Sequence, residues 1–224
     1  KIKLRGNDLD WDIDRTLAIE RIAREQLSKL GVDELYLTAD ANEMSPDPEH
    51  VVEYLTKVRE RSPSAFDAII YLEQPTTRDL FGKPVDLSAA AKLKPVLLDE
   101  GLCSFEAMDE ALHQGYTGFA LKTCKGQSNS LLMLAKAQAA GLPYAVQDLT
   151  LTGIGLIQSV GFAARISTIK GVEANARQFC PDASLREERA HPGIFRARKG
   201  ELDLASVRGS GLGYRYDEWG HTLD

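Results

Sequence analysis

Along the chain the hydrophobic positions switch repeatedly between short apolar runs and runs at helical spacing, and the alternation predicts strand-helix units. Pro95-Val-Leu-Leu-Asp-Glu-Gly101 reads as a buried strand that stops on two carboxylates, because leucine and valine bounded by proline and glycine suit a strand covered on both faces. Ala68-Ile-Ile-Tyr-Leu-Glu-Gln-Pro75 and Leu35-Tyr-Leu-Thr-Ala-Asp-Ala-Asn42 repeat the arrangement. Three successive strands therefore deliver Asp40, Glu73 and Asp99 at the same end, and acids on neighbouring strand ends call for a cation. At the start of the chain, Lys1-Ile-Lys-Leu-Arg5 alternates, with Lys1 and Lys3 on one face and Ile2 and Leu4 on the other.

Between these runs the period becomes helical. Ile13, Leu17, Ile19, Ile22, Ala23 and Leu27 predict an apolar helix face that Gly31 closes. Ser45-Pro-Asp-Pro48 is a helix start, and Val51, Val52, Leu55 and Val58 predict the buried stripe of a helix reaching Arg61. A long polar loop, 74–84, leads to a short helix at 87–93. Ser104-Phe-Glu-Ala opens a helix that Gly115 stops. The pattern then predicts a strand over 118–124 carrying Lys122, a helix over 128–140, a strand over 143–148, an apolar helix over 153–166 and a weaker strand over 171–176. From 179 to 224 the periodicity fades into irregular structure.

Strand and helix alternate throughout, which predicts the α/β class with a parallel sheet. The polar strand-end residues Lys3, Asp40, Glu73, Asp99, Lys122, Asp148 and Glu173 recur at intervals of roughly 23 to 37 residues, the size of one strand-helix unit. Polar residues at every strand end favour a closed TIM-type (β/α) barrel, whose active face is built from strand C-termini, over an open sheet. Seven strands are counted, so the expectation is a single catalytic domain over 1–224 with the first barrel strand contributed from outside this chain.

Composition narrows the function. A net charge of −6 and a pI near 5.3 argue against a nucleic-acid surface. No apolar run reaches membrane-spanning length, so no membrane role is predicted and a cytoplasmic protein is the default. Cys103, Cys124 and Cys180 have unrelated spacings, which predicts reduced thiols and neither a disulfide framework nor a zinc site. His50, His113, His191 and His221 fall in predicted helices or the tail and are expected on the surface; Trp11 and Trp219 are expected to pack.

Lys1-x-Lys3, Asp40-Ala-Asn42, Tyr71-Leu-Glu73-Gln-Pro75, Leu98-Asp99-Glu100 and Leu121-Lys122, in this order, resemble the C-terminal barrel domain of the enolase superfamily, muconate lactonizing enzyme subgroup. The resemblance covers the chain to about Glu173 and implies a modified barrel with an N-terminal lid domain that this chain lacks. It implies that Asp40, Glu73 and Asp99 hold Mg²⁺ and that Lys3 and Lys122 exchange a proton with the carbon next to a substrate carboxylate. Glu100 stands beside the ligands as a supporting carboxylate. Lys1, Asn42, Lys125, Asp148 and Glu173 are candidate substrate contacts. The chemistry is coherent: removing that proton puts two negative charges on an enediolate, which a divalent ion offsets, and nearby cations would lower a lysine pKa.

The chain also departs from that family. Asp99-Glu100-Gly101 stands where Asp-Glu-Ser is usual, and Gly126-Gln-Ser-Asn129 where a Gly-Gly is usual. Glu173-Ala-Asn175 replaces the Asp-x-Asp that dipeptide epimerases use to hold an ammonium group, which disfavours a dipeptide. In a ring of eight strands the Lys3 and Lys122 strands are four apart, so a small-molecule carboxylate between them would show each lysine one face of its α-carbon. The preferred expectation is a racemase or epimerase. Dehydration or cycloisomerisation on the same site, a Schiff-base aldolase using Lys122, and a non-catalytic scaffold barrel are the alternatives. Homo-oligomer formation is left open.

Overall fold

Local signals set the first helices. In the computed structural model, which describes residues 1–207 and 209, β1 (Ile2–Lys3) is followed by α1 (Leu9–Lys29), whose N-terminus is capped by Asp8. β2 (Leu37–Asp40) leads to α2 (Pro48–Arg61), where the Asp47 carboxylate accepts from the His50 N–H at 2.8 Å and Pro48 occupies the first turn. A short α3 (Pro63–Ala68), which the sequence pattern did not predict, precedes β3 (Ile69–Glu73). α4 (Ser88–Ala91), β4 (Val96–Leu98), α5 (Phe105–His113) and β5 (Gly118–Leu121) follow. After one 3-10 turn, Thr123–Lys125, come α6 (Gln127–Ala139), β6 (Tyr144–Val146) and α7 (Gly153–Ala163). The short helix α8 (Ala176–Phe179) lies between the expected weak strand and the stretch expected to be irregular, and two more, α9 (Leu185–Ala190) and α10 (Pro192–Phe195), fall within that stretch.

The strands form one sheet in the order β1-β2-β3-β4-β5-β6, and the pairings from β1 to β5 are parallel. The expected seventh strand is reduced to a single parallel bridge between Val146 and Val172, with the Glu173 N–H donating to the Val146 carbonyl at 3.0 Å. Gly171 takes a positive φ of 89° immediately before the bridge, and Asn175 leaves the extended region shortly after it, so no ladder can grow. The chain divides into two compact units, Lys1–Ala120 and Leu121–Asp224.

In the first unit the core is built from Ile13, Leu55, Val58, Ile69, Leu97, Leu98, Met108 and Phe119, all fully buried. The α1 face differs from the expected apolar one: Asp12, Ile13, Thr16 and Glu20 are buried while Ile22 is exposed. The polar side chains are tolerated because each is bonded, Asp12 to the Arg5 and Gly6 N–H groups, Thr16 to Tyr54 and Glu20 to Arg24 and Ser64. Gly115 turns the chain out of α5 at φ 84°, and a Cβ there would lie 2.5 Å from the Ser88 nitrogen. Trp11 is half-buried under the Arg5 and Arg15 guanidinium groups.

In the second unit Leu156, Ile157 and Val160 of α7 pack with Ala176, Ile194, Phe195 and Val207. His191, expected on the surface, is buried, with Nδ1 2.9 Å from Ser206 Oγ; His50 is half-buried and His113 exposed. His221 and Trp219 lie outside the described residues. Among the described residues no helix is long and apolar enough to cross a membrane, and Cys103, Cys124 and Cys180 are free thiols.

Candidate active site

Strand register assembles the acids of the first unit. Lys3 is paired with Asp40, Asp40 with Glu73, and Glu73 with Leu97, so Asp99, two residues beyond Leu97, shares the face by the two-residue period. All three carboxylates are buried: Asp40 is 0%, Glu73 1% and Asp99 1% exposed. Lys1 lies two residues before Lys3, and its ammonium donates to Glu73 Oε1 at 2.7 Å and sits 3.6 Å from Asp40 Oδ2. The Lys3 ammonium bonds the same Asp40 oxygen and donates to Asn42 Oδ1 at 2.9 Å.

Asn42 adopts a left-handed φ of 44°, which asparagine tolerates, and its N–H donates to Asp40 Oδ1 at 2.9 Å. Its Nδ2 donates to Glu100 Oε1 at 2.9 Å, so Asn42 links Lys3 to Glu100. Lys1, Lys3, Asp40, Asn42, Glu73 and Glu100 are thus brought together. Burial pushes the Glu73 carboxyl up to about 8; Lys1 pulls it down, while Asp40 and Asp99 push it further up.

In the second unit Lys122 follows β5 and is buried, with its carbonyl accepting from Ser130 Oγ at 3.0 Å and from the Lys125 N–H at 3.0 Å. Asp148, Glu173 and Asn175 meet: Asp148 Oδ2 accepts from the Asn175 N–H at 2.9 Å, and Asn175 Nδ2 donates to Glu173 Oε1 at 3.2 Å. Burial, helped by the Glu173 charge, raises the Asp148 pKa against the backbone N–H groups that lower it. Asp148 and Glu173 are therefore linked through Asn175.

Sequence reasoning passed over Gln74 and Tyr116. Gln74 is fully buried with a positive φ of 32°, and its side chain bonds Asp99, Gly101 and Tyr116. Its place between Glu73 and Pro75 was the only signal.

The model of the enolase C-terminal domain-like family matches residues 1–219. The chain belongs to this family. Among solved structures it is similar to a mandelate racemase/muconate lactonizing protein from Herpetosiphon aurantiacus, at 22% identity and a TM-score of 0.65 over 79% of this chain and 47% of that one. It is also similar to the substrate-liganded L-Ala-D/L-Glu epimerase from Bacillus subtilis, at 24% identity and a TM-score of 0.63, covering 80% of this chain and 47% of that one. A third is the dipeptide epimerase from Enterococcus faecalis V583 complexed with Mg and the dipeptide L-Leu-L-Tyr, at 22% identity and a TM-score of 0.60, covering 76% and 45%. The chain spans about half the length of these relatives, and the likeness establishes the fold. No curated protein matches its sequence.

Among the described residues, no three His, Cys, Asp or Glu side chains are grouped so as to hold a metal ion; the expected convergence of Asp40, Glu73 and Asp99 is interrupted by the Lys1 ammonium between the first two. The donor set nevertheless fits a hard divalent cation. Three buried carboxylates lie at neighbouring strand ends, burial and then the Asp40 and Asp99 charges push the Glu73 carboxyl up to about 8 against the pull of Lys1, and oxygen-only acidic donors suit Mg²⁺.

Proposed function

We propose that the chain is the catalytic domain of a Mg²⁺-dependent enzyme that moves the proton α to a carboxylate, with racemisation or epimerisation as the preferred outcome and dehydration or cycloisomerisation as the alternatives on the same site. A TIM-type barrel completed by a strand and a lid domain from outside these residues is part of the reading, as is a cytoplasmic location. The observation that carries it is the buried row Asp40, Glu73 and Asp99, flanked by the Lys1 and Lys3 ammonium groups. The family and its structural relatives, one complexed with Mg, support it.

Asp40, Glu73 and Asp99 would hold the ion. When bound, Mg²⁺ supplies charge stabilisation to a carboxylate that gains a second negative charge as its α-proton leaves. Lys3 is assigned to hold or accept that proton on Nζ. Asn42 accepts a hydrogen bond from Lys3 and so fixes where Nζ points, and Lys1 sets a second cation on the same face. Lys122 is assigned the matching proton transfer, and its burial keeps water away from the amine that would perform it.

Isotope exchange tests this. A panel of racemic 2-substituted carboxylic acids is incubated with the protein and Mg²⁺ in heavy water, and α-proton loss is followed by proton NMR. For a racemase, Lys3→Ala and Lys122→Ala each abolish racemisation, a loss of at least about 10²-fold as for removal of a general base, while each retains exchange on a single enantiomer. If both variants exchange both enantiomers at the wild-type rate, neither lysine is the base.

A further inference from the structure

Gln74 joins the three acid-bearing segments, and the bonds that do so lie within the first unit. Its backbone N–H donates to the Leu97 carbonyl of β4 at 3.0 Å, and its carbonyl accepts from Glu43 N–H, three residues beyond Asp40, at 2.8 Å. The side-chain oxygen Oε1 accepts from the N–H groups of both Asp99 and Gly101 at 3.0 Å each. The side-chain nitrogen Nε2 donates to the Thr76 carbonyl at 3.0 Å and to Tyr116 Oη at 3.1 Å. Each partner is consistent with the carboxamide orientation: the oxygen faces N–H donors, and the nitrogen faces a carbonyl and a phenol oxygen.

The carboxamide combines functions that other side-chain types would lack in that place. A carboxylate could accept from the two N–H groups but would set its second oxygen against the Thr76 carbonyl. An apolar side chain would leave the Asp99 and Gly101 N–H groups unbonded under a fully buried residue, which costs each its desolvation without a compensating bond. Tyr116 is itself buried, which pushes its hydroxyl up to about 12 and keeps it neutral. The loop after β4 also has little freedom: a Cβ on Gly101 would lie 2.9 Å from Leu98 Cδ1 and 3.5 Å from Gln74 Oε1. The chain holds Gln74 in this position against a backbone preference, since glutamine rarely adopts a φ of 32°.

We propose that Gln74 is a positioning residue for the metal centre: its carboxamide fixes the backbone of Asp99 and Gly101, and through it the direction of the Asp99 carboxylate relative to Glu73. The inference rests on the metal-dependent reading above. It adds that the site's affinity for a divalent ion depends on a side chain that touches no ion.

The test titrates Mn²⁺, a paramagnetic stand-in for Mg²⁺, by electron paramagnetic resonance, with thermal unfolding in chelator measured alongside. Gln74→Asn keeps a carboxamide and tolerates the positive φ but is one methylene too short to reach both N–H groups. Gln74→Met keeps the length and removes the hydrogen bonds. Leu55→Ala, in the buried apolar face of α2, serves as a control for destabilisation alone. Gln74→Asn and Gln74→Met should each weaken Mn²⁺ binding at least about tenfold and broaden its spectrum in the folded protein, with Leu55→Ala binding as the wild type does. Should Gln74→Met fail to fold, Gln74→Asn decides the outcome; should both fail, loss of amide protection at Asp99 and Gly101 in the wild type relative to Leu97 overturns the proposal, and protection equal to it upholds the clamp. Folded variants with wild-type affinity overturn the role of Gln74 alone. A wild-type chain that binds no Mn²⁺ overturns the metal reading, and the role given to Gln74 with it.

Discussion

Burial drives the Glu73 carboxyl up to about 8 although Lys1 donates to it at 2.7 Å, because Asp40 and Asp99 act on it from the neighbouring strands. A carboxylate in this state contributes little to folding without a compensating cation, since charges are costly to remove from water and the Lys1 bond offsets only part of that cost. Glu73→Gln should therefore leave the melting temperature in chelator within a few degrees of wild type while abolishing Mg²⁺ binding. Calorimetric titration of the variant showing undiminished Mg²⁺ affinity would remove Glu73 from the ligand set. The neighbouring Gln74 carries no comparable signal in sequence, because nothing in a linear pattern shows that one carboxamide reaches two N–H groups 25 and 27 residues away.

At the scale of elements, α2 is the one in which sequence and structure agree most closely. Its start was legible because Asp47 supplies the cap and Pro48 the first-turn φ, and its buried Val51, Leu55 and Val58 follow the 3.6-residue period. Asp47→Ala should cost about 1 kcal/mol, the usual size of a lost N-cap, read as a shift in the urea midpoint with unchanged slope. The helical run of α1 was legible in the same way, but its buried face was not. Periodicity counts hydrophobicity, and α1 buries Asp12, Thr16 and Glu20 through bonds to Arg5, Gly6, Tyr54 and Arg24 that a hydrophobic pattern does not register. The acid-bearing ends of β2, β3 and β4 were readable because each apolar run stops on its carboxylate. The weaker strand expected over 171–176 does not form: Val172 makes one bridge, and the positive φ of Gly171 and the turn at Asn175 close it on both sides.

Over the whole chain, carboxyls that respond to acid in opposite senses occur in both compact units, since Glu43, bonded by Arg78, is lowered in the first and Asp148 is raised by burial in the second. In the first, burial raises Asp12 as well as Glu73; a raised folded-state carboxyl is stabilising when protonated, so these groups favour folding as the pH falls. In the second, Glu188 is held below its usual value, first by its hydrogen bond from Arg196 and also by that from Arg177, which reaches on to the Phe195 carbonyl. A lowered carboxyl contributes stability above its unfolded pKa and loses it as the pH drops through the folded value. Because both arginines are at least half exposed, salt screens part of the effect. Glu188 joins α9 to α8 and α10, so its protonation should loosen residues 176–196 while α1 and α2 stay protected. Amide exchange at about pH 3 and about pH 6, corrected for intrinsic rates, measures this directly. The protection lost between those pH values should concentrate in α8 to α10, and Glu188→Gln should show the weakened protection there already at the higher pH. Uniform loss across both units would mean that acid acts through the global fold and not through this one carboxylate.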